Sequence, residues 1–451
     1  MFRSKHVLLL LLILCLFVIT LGRKAWAADD LLTLDRALAL AGSGNPVLMA
    51  ADKKVEQAMA RFKQADADRM PSLGAYVTYQ ETGEVPVYSV YSDLSWDQNT
   101  FLGYARAGYQ QTWKAALKLS HVLYSGGAVE QASASRRFAL EAARAERERT
   151  GQVVYNGVRQ AFFSLQRARA REEVSREALG LAMEHLRQVK AMYSSGVVAK
   201  NQVLRVQVAV DEARLNLIQS ENAVDVAWSA LERAVGVSLK GNWNLPGPSL
   251  DAVPCDIPAA PEETALLKRP ELRALAFSEQ AARAAARAAV GQGGPKVLLQ
   301  AETYVVDQEF FPEAQDDWKV TAVAEWTFFD GGKSRARACE ARAAAEELLY
   351  LIEDMKRQIT MDVSMAMLNF NSALKRIDLA SSQVKSAGED YRMAMKRYTA
   401  QVGTNIDVLD ARVALQKART QHVDAVYDSL AARSDLQFAM GVEKLQGKAL
   451  E

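Results

Sequence analysis

Polarity alternates residue by residue along four stretches of the chain. Trp318, Val320, Ala322, Ala324, Trp326 and Phe328 fall on one side of an extended segment. Lys319, Thr321, Glu325 and Thr327 fall on the other, with Val323 among them. Trp113–Leu123 has the same pattern, Trp113 answering Trp318 and Lys114 answering Lys319. Upstream, Leu73, Ala75 and Val77 oppose Gly74, Tyr76 and Thr78, and Val297, Leu299, Ala301 and Val305 oppose Leu298, Gln300, Glu302 and Tyr304. A period of two predicts strands with one apolar face.

Elsewhere the pattern is helical. A first helix is predicted over about Thr33–Arg69, broken near "GSGNP" (42–46), with a counterpart at Pro270–Val290. Very long helices follow at Ala128–Met192 and Lys333–Arg397, each about 100 Å at 1.5 Å per residue. No globular domain needs such a length, so they are expected to project away from a membrane. Val203–Val235 and Val408–Met440 return antiparallel. The first of these carries an unbroken 3-4 seam: Val203, Val206, Val210, Ala213, Leu217, Ser220, Val224, Ala227, Leu231, Ala234. That spacing indicates knobs-into-holes packing. A second, partial stripe (Leu204, Val208, Leu215, Ile218) predicts neighbours on two sides, as in the wall of a tube; an ordinary helical hairpin explains the first stripe alone.

The chain repeats itself. "SGG" at 125–127 and "DGG" at 330–332 are 205 residues apart, as are Tyr193 and Tyr398, the two "VL" pairs at 203 and 408, and the two "GV" pairs at 236 and 441. Upstream the offset is 224, from "NPVL" (45–48) to "RPEL" (269–272) and from Pro71 to Pro295. Two constant offsets mean two copies that differ by one 19-residue insertion between Pro71 and Gly126. The copies span 28–240 (strand pair about 71–124) and 262–443 (strand pair about 295–329), with Pro/Gly-rich 241–261 between them and 444–451 as a tail. The insertion predicts a longer surface loop over roughly Glu81–Thr112, containing Tyr88, Tyr91, Trp96, Phe101 and Tyr104.

Arg3, Lys5 and His6 precede an apolar run from Val7 to Thr20, and Ala25-Trp26-Ala27 suits a signal peptidase, so 1–27 reads as a secretory signal. Cys15 is not read as a lipid-attachment site, because Leu14 precedes it where a small residue is expected. Losing Arg3, Lys5, Arg23 and Lys24 takes the formal charge from +1 to −3. A near-neutral exported chain argues against nucleic acid as a partner. Cys255 and Cys339 form no disulfide framework or metal-type spacing.

In an exported chain, four segments of alternating polarity ending in aromatics (Trp113, Trp318, Trp326) read as membrane β-strands, although any one alone would fit a soluble hairpin. Four strands cannot close a cylinder, open edges are not tolerated in lipid, and about eight is the smallest closed number. The barrel must therefore be shared between protomers.

No catalytic, metal or cofactor constellation is evident. His121, aligned with Trp326, and the single His185 and His422 suit surface or packed positions. "GQGGPK" (291–296) lacks the strand-before, helix-after context of a phosphate loop. Met355, Met361, Met365 and Met367 suit helix packing. At i, i+3 spacing Asp407 and Asp410 share one helix face near a helix start, where the dipole favours negative charge.

"LYSGG" (123–127) with "FFDGG" (328–332), and "YSSGVVAKNQVL" (193–204) with "YTAQVGTNIDVLDA" (398–411), give a duplicated plan that resembles the TolC family of outer-membrane efflux proteins over about residues 31–443. The resemblance implies a mixed α/β membrane protein: a homotrimer whose 12 strands form one outer-membrane barrel and whose 12 helices form a periplasmic coiled-coil tunnel. It implies a passive duct of a Gram-negative bacterium, docked to a periplasmic adaptor and through it to an inner-membrane pump. Gly126, Gly127, Gly331 and Gly332 would turn the chain from barrel to tunnel. Asp407 and Asp410 match the family's constriction aspartates, six carboxylates per trimer that would raise one another's pKa and favour cations. Arg205 is a candidate counter-charge. The tip turns at Ser195, Gly196, Val197, Val402, Gly403 and Thr404 would face the adaptor. One departure stands out: Gln401 replaces the first copy's Gly196, and no basic residue occupies the second turn to lock the mouth. Three readings follow: a duct for small toxic compounds or drugs, the exit duct of a type I protein secretion system, or an exported coiled-coil scaffold without a pore.

Overall fold

The computed structural model describes residues 31–92, 100–106, 110–239, 243–247, 258–311 and 315–442. The signal sequence, Cys15, Trp96, Cys255 and the tail 444–451 lie outside these residues. The described helices are α1 (Leu34–Gly44), α2 (Pro46–Ala67), α3 (Ala128–Ser194), α4 (Lys200–Val235), α5 (Pro261–Lys268), α6 (Pro270–Gln292), α7 (Lys333–Thr399) and α8 (Asn405–Ala439). The strands are β1 (Ser72–Glu81), β2 (Val87–Ser92), β3 (Thr100–Arg106), β4 (Gln111–Tyr124), β5 (Lys296–Asp307) and β6 (Gln315–Glu325). α5 corrects the expected connector, which ends at 260: Pro261 opens a helix, with Glu262 and Glu263 in its first turn.

The chain forms two compact units that cut across the sequence repeats. Among the described residues, one comprises 31–51, 147–270 and 356–442, the other 52–146 and 271–355. In the second unit β1, β4, β5 and β6 form one antiparallel sheet in that order. Its registers pair Tyr76 with Ala116, Ala116 with Tyr304, and Tyr304 with Asp317, so these residues share a face. With them stand Lys114, Lys118, Gln300, Glu302 and Lys319, while the opposite face carries Leu73, Val77, Leu117, Leu119, Ala301, Trp318 and Val320. On the polar face Glu302 bonds both Lys114 and Tyr76, and Tyr304 Oη donates to Asp317 at 3.0 Å. On the other face Leu73, Val77 and Trp318 are exposed, and β1 and β6 are sheet edges.

Two expectations for this unit are corrected. The insertion is not only a loop: β1 runs to Glu81, β4 starts at Gln111, and between them β2 and β3 pair with a register shift between Val90 and Tyr91. "VYSVYS" alternates strand-favouring Val and Tyr with Ser, which is why it pairs. β6 also stops at Glu325. Trp326 and Phe328 lie beyond it, and Trp326 Nε1 donates to the Gly293 carbonyl at 3.3 Å. Trp318 lies on the apolar face near the start of β6, and Trp326 follows directly after its end. Trp113 packs on Tyr79 and Phe310.

In the first unit α1, α3 and α4 enclose Leu32, Ala37, Ala41, Val158, Phe162, Leu165, Leu231 and Val235. Thr33 caps α1, and Asn45 ends it where Pro46 removes the next donor. Asn45 Nδ2 then reaches the carbonyls of Ala234 and Val235 at 2.9 and 3.2 Å. Gly236 packs so tightly there that a Cβ would sit 2.9 Å from Asn45 Cα. The second copy makes the same junction with other chemistry: Gly441 packs on Arg269, which is buried and paired with Asp362 at 2.9 Å. The "NP"/"RP" and "GV" motifs, read as separate repeat markers, are thus in contact. Further along, α3 and α8 are tied by a polar ladder: Asn156 and Gln160 to Asp435, Arg167 to Asp428, Arg171 bidentate to Asp424, and Arg419 to Glu177.

Candidate functional site

Two turns, α3 to α4 and α7 to α8, contain the tip residues singled out in the sequence. α3 ends in a 6→1 hydrogen bond from Val197 N–H to the Met192 carbonyl (2.9 Å), with Gly196 N–H on the Tyr193 carbonyl (3.0 Å). α7 ends identically, Val402 on Arg397 at 2.9 Å and Gln401 on Tyr398 at 3.0 Å. This is the Schellman arrangement, whose penultimate residue takes a left-handed conformation. Gly196 has φ 77° and Gln401 φ 62°. Gln401 is therefore the same turn built at a steric cost rather than a different turn. Gln401→Gly is expected to raise stability by roughly 0.5–1 kcal/mol, read as a higher urea midpoint at constant slope. A lower midpoint would contradict the shared geometry.

The starts of the return helices differ. α4 has no side-chain cap at Ala199. α8 has a reciprocal capping box: Asp407 N–H donates to Thr404 Oγ1 (3.2 Å) and Thr404 N–H donates to Asp407 Oδ2 (3.0 Å). Those Thr404 bonds, assisted by Arg397, hold the Asp407 carboxyl below the usual carboxylate range. Within one chain this is opposite to the shift expected from a ring of acids, because a hydrogen-bonded carboxylate is favoured over its acid. Asp407 and Asp410 are both exposed on α8. Arg205 is exposed on α4, and within the chain Arg397, not Arg205, is the cation acting on Asp407. Val197 and Val402, at matching positions of the two turns, project apolar side chains into solvent.

Behind the turns, Val206, Val210 and Ala213 of the predicted α4 seam enter a buried cluster whose polar members sequence reasoning did not connect. Ala182, Leu186, Val189, Val206, Val210, Ala213, Tyr398 and Val408 form an apolar core. Within it His185 Nε2 lies 2.7 Å from Asn405 Oδ1, and the His185 ring meets Tyr398 edge-on at 5.3 Å. Tyr398 Oη donates to Gln202, the first copy's counterpart of Asp407, at 3.3 Å and so joins the two tips. Burial, helped by nearby Arg412, holds His185 below the usual imidazole range despite the opposing Asn405 bond, so the ring is neutral at pH 7. His185 was read as suiting a surface or packed position, and Arg412 was not singled out. The available signal was spacing: Asn405, Val408, Arg412 and Leu415 follow a 3-4-3 pattern that places an arginine on the buried side of α8. Among the described residues no group of three or more His, Cys, Asp or Glu side chains is placed to hold a metal ion, and no helix is long and apolar enough to cross a membrane.

The four turn glycines after the strands all have positive φ: Gly126 64°, Gly127 80°, Gly331 69° and Gly332 90°. Ser125 Oγ accepts from Val129 N–H, and Asp330 accepts from the N–H groups of Gly332 and Ser334, so each long helix leaves the sheet with a capped first turn.

Comparison with known proteins agrees with this plan. Residues 37–237 and 263–442 match the family described as outer membrane efflux protein, which takes in both repeats. The probable outer membrane lipoprotein SilC of Salmonella typhimurium is 22% identical over 422 residues, covering 90% of this chain and 85% of that protein. The alkaline protease secretion protein AprF of Pseudomonas aeruginosa is 26% identical over 295 residues, covering 64% and 60%. The crystal structure of CusC, described in terms of transmembrane channel formation, superposes with a TM-score of 0.78 at 19% identity, over 92% of this chain and 93% of that one. The chain belongs to the outer membrane efflux protein family.

Proposed function

We propose that three copies of this chain assemble into a passive duct through the outer membrane, carrying small toxic compounds outward as part of a tripartite pump. The observation that carries the reading is the sheet: four strands with one exposed apolar face, one polar face and two free edges. Burying both edges and the apolar face requires neighbouring sheets and lipid. Leu204, Val208, Leu215 and Ile218, exposed along α4, supply a second surface for neighbouring helices. Together these favour a shared barrel of 12 strands above a tunnel of 12 helices.

In this assembly Asp407 and Asp410 of each chain ring the periplasmic mouth, with Arg205 available to acids of the adjacent subunit. The turns at Ser195–Val197 and Val402–Thr404, each with one exposed valine, dock a periplasmic adaptor, and an inner-membrane pump supplies the energy. A second reading, export of proteins, is favoured by one observation, the likeness to AprF. Specificity in either case lies with the pump and adaptor. The pore-free scaffold has no comparable support. The purified mature protein is expected to run in detergent at three times the chain mass by native mass spectrometry and to conduct ions in planar bilayers. A detergent-free, water-soluble monomer would overturn the proposal.

A further inference from the structure

One row of the sheet's polar face concentrates charge. Lys118 of β4 pairs with Glu302 of β5, and Glu302 pairs with Lys319 of β6, so three charged residues stand abreast on neighbouring strands. Gly74 completes the row on β1 without a side chain. Directly opposite residues of this kind lie about 5 Å apart at Cβ.

The acid of the row is already engaged from the side. Lys114 Nζ reaches Glu302 Oε1 at 2.5 Å, and Tyr76 Oη donates to the same oxygen. Lys114 is itself enclosed, 4.2 Å from the centroid of the Tyr304 ring and 5.7 Å from that of Tyr76. The Glu302 side chain is 17% exposed. Lys114 and Glu302 thus form a largely covered pair, whereas Lys118 is half-buried and Lys319 exposed. Asp317, one row away, is exposed and accepts from Tyr304, and Lys296 faces Glu325 at the start of β5. Around the row, Lys114, Lys118 and Lys319 therefore outnumber Glu302 and Asp317.

Lipid excludes charge, so in a barrel this face lines the lumen. We infer that Lys118 and Lys319 are specificity-determining residues of the duct, forming a positively charged band inside the barrel that favours anions. This band presupposes the trimeric barrel proposed above, in which three such rows share one lumen. Rings of basic side chains favour anions as rings of carboxylates favour cations, so the barrel section is opposite in sign to the proposed acidic mouth.

Gln300 reports on the band. It pairs with Ser120 and Thr321, which makes Lys118 and Lys319 its diagonal neighbours at about 7–8 Å. That is within the Debye length of about 10 Å at 0.1 M salt, so a thiol placed there senses both charges. The test uses the protein reconstituted in liposomes, with Cys255 and Cys339 replaced by Ser and Gln300→Cys introduced. Its modification is timed with a sulfonate-bearing and a trimethylammonium-bearing methanethiosulfonate, each rate divided by that of free cysteine. The anionic reagent is expected to react faster. Adding Lys118→Gln with Lys319→Gln is expected to lower the anionic-to-cationic ratio at least threefold, whereas Lys118→Arg with Lys319→Arg keeps it. Ala301→Cys, on the apolar face, is expected to resist both reagents. Equal rates at Gln300→Cys, or a ratio unchanged by the Gln pair, would overturn the band and leave the duct standing. Reaction at Ala301→Cys but not at Gln300→Cys would instead overturn the barrel, and the band with it.

Discussion

Gly126→Ala is expected to abolish accumulation of the assembled protein in the outer membrane, at least tenfold below wild type, whereas Gly127→Ala is tolerated. Both glycines have positive φ, so each alanine costs about 1–2 kcal/mol of left-handed strain. The difference lies in what surrounds them. A Cβ on Gly127 meets nothing within 4 Å, whereas one on Gly126 would lie 2.6 Å from the carbonyl oxygen of Gly291. The relation is mutual, since a Cβ on Gly291 would lie 2.5 Å from the Gly126 oxygen and 2.9 Å from the amide nitrogen of Ala128. Backbone cannot move aside as a side-chain end can, so overpacking adds about 1–3 kcal/mol. Together these consume much of a typical stability of about 5–15 kcal/mol. Gly291→Ala, at a helical position without positive φ, isolates the steric part and is expected to be intermediate. Membrane fractionation and the urea midpoint of purified protein measure the series. Equal effects at Gly126 and Gly127 would show that conformation, not the close approach, governs this turn.

That close approach marks a limit of reading from sequence. The "GG" motifs and their offset of 205 announced two equivalent turns, and equivalent φ values followed. Yet only one of the two aligned glycines, Gly126 rather than Gly331, faces a backbone within the chain, because packing depends on which element comes next in space. Strand faces were legible because a period of two leaves little freedom: Lys114, Lys118, Glu302 and Tyr304 did fall together. The β2–β3 hairpin was missed because an insertion was equated with a loop, although "VYSVYS" carries strand chemistry. At the tips, Asp407 and Asp410 stood out by type and spacing, and the turn conformation of Gln401 follows from alignment with Gly196. The pairing of His185 with Asn405, 220 residues away, has no local signature at all. The 3-4-3 placement of Arg412 was visible, but a polar residue on a seam acquires meaning only once its neighbours are known.

The second large effect is expected at the acidic mouth. Replacing both Asp407 and Asp410 by Asn should reduce the cation preference of the reconstituted channel to near-unselective conduction, since six carboxylates are lost from one ring in the proposed trimer. Asn is the informative substitution at 407. Its side-chain oxygen can still accept from Thr404 N–H, so the turn that starts α8 survives while the charge goes. Acidity provides a second test. In the folded chain the Thr404 bonds and Arg397 depress the Asp407 pKa below its unfolded value. A group shifted in that direction stabilises the fold above its unfolded pKa, and the contribution is lost as pH falls through the depressed value. The Asp407 cap and its charge are therefore expected to persist from pH 7 to 5 and to fail only as the pH falls below the usual carboxylate range. In planar bilayers, wild-type cation preference should be unchanged at pH 5, and the double variant should be unselective at both pH 7 and pH 5. Cation preference retained by the double variant would remove these aspartates from the constriction, and a wild-type preference already lost at pH 5 would mean that repulsion around the ring outweighs the cap.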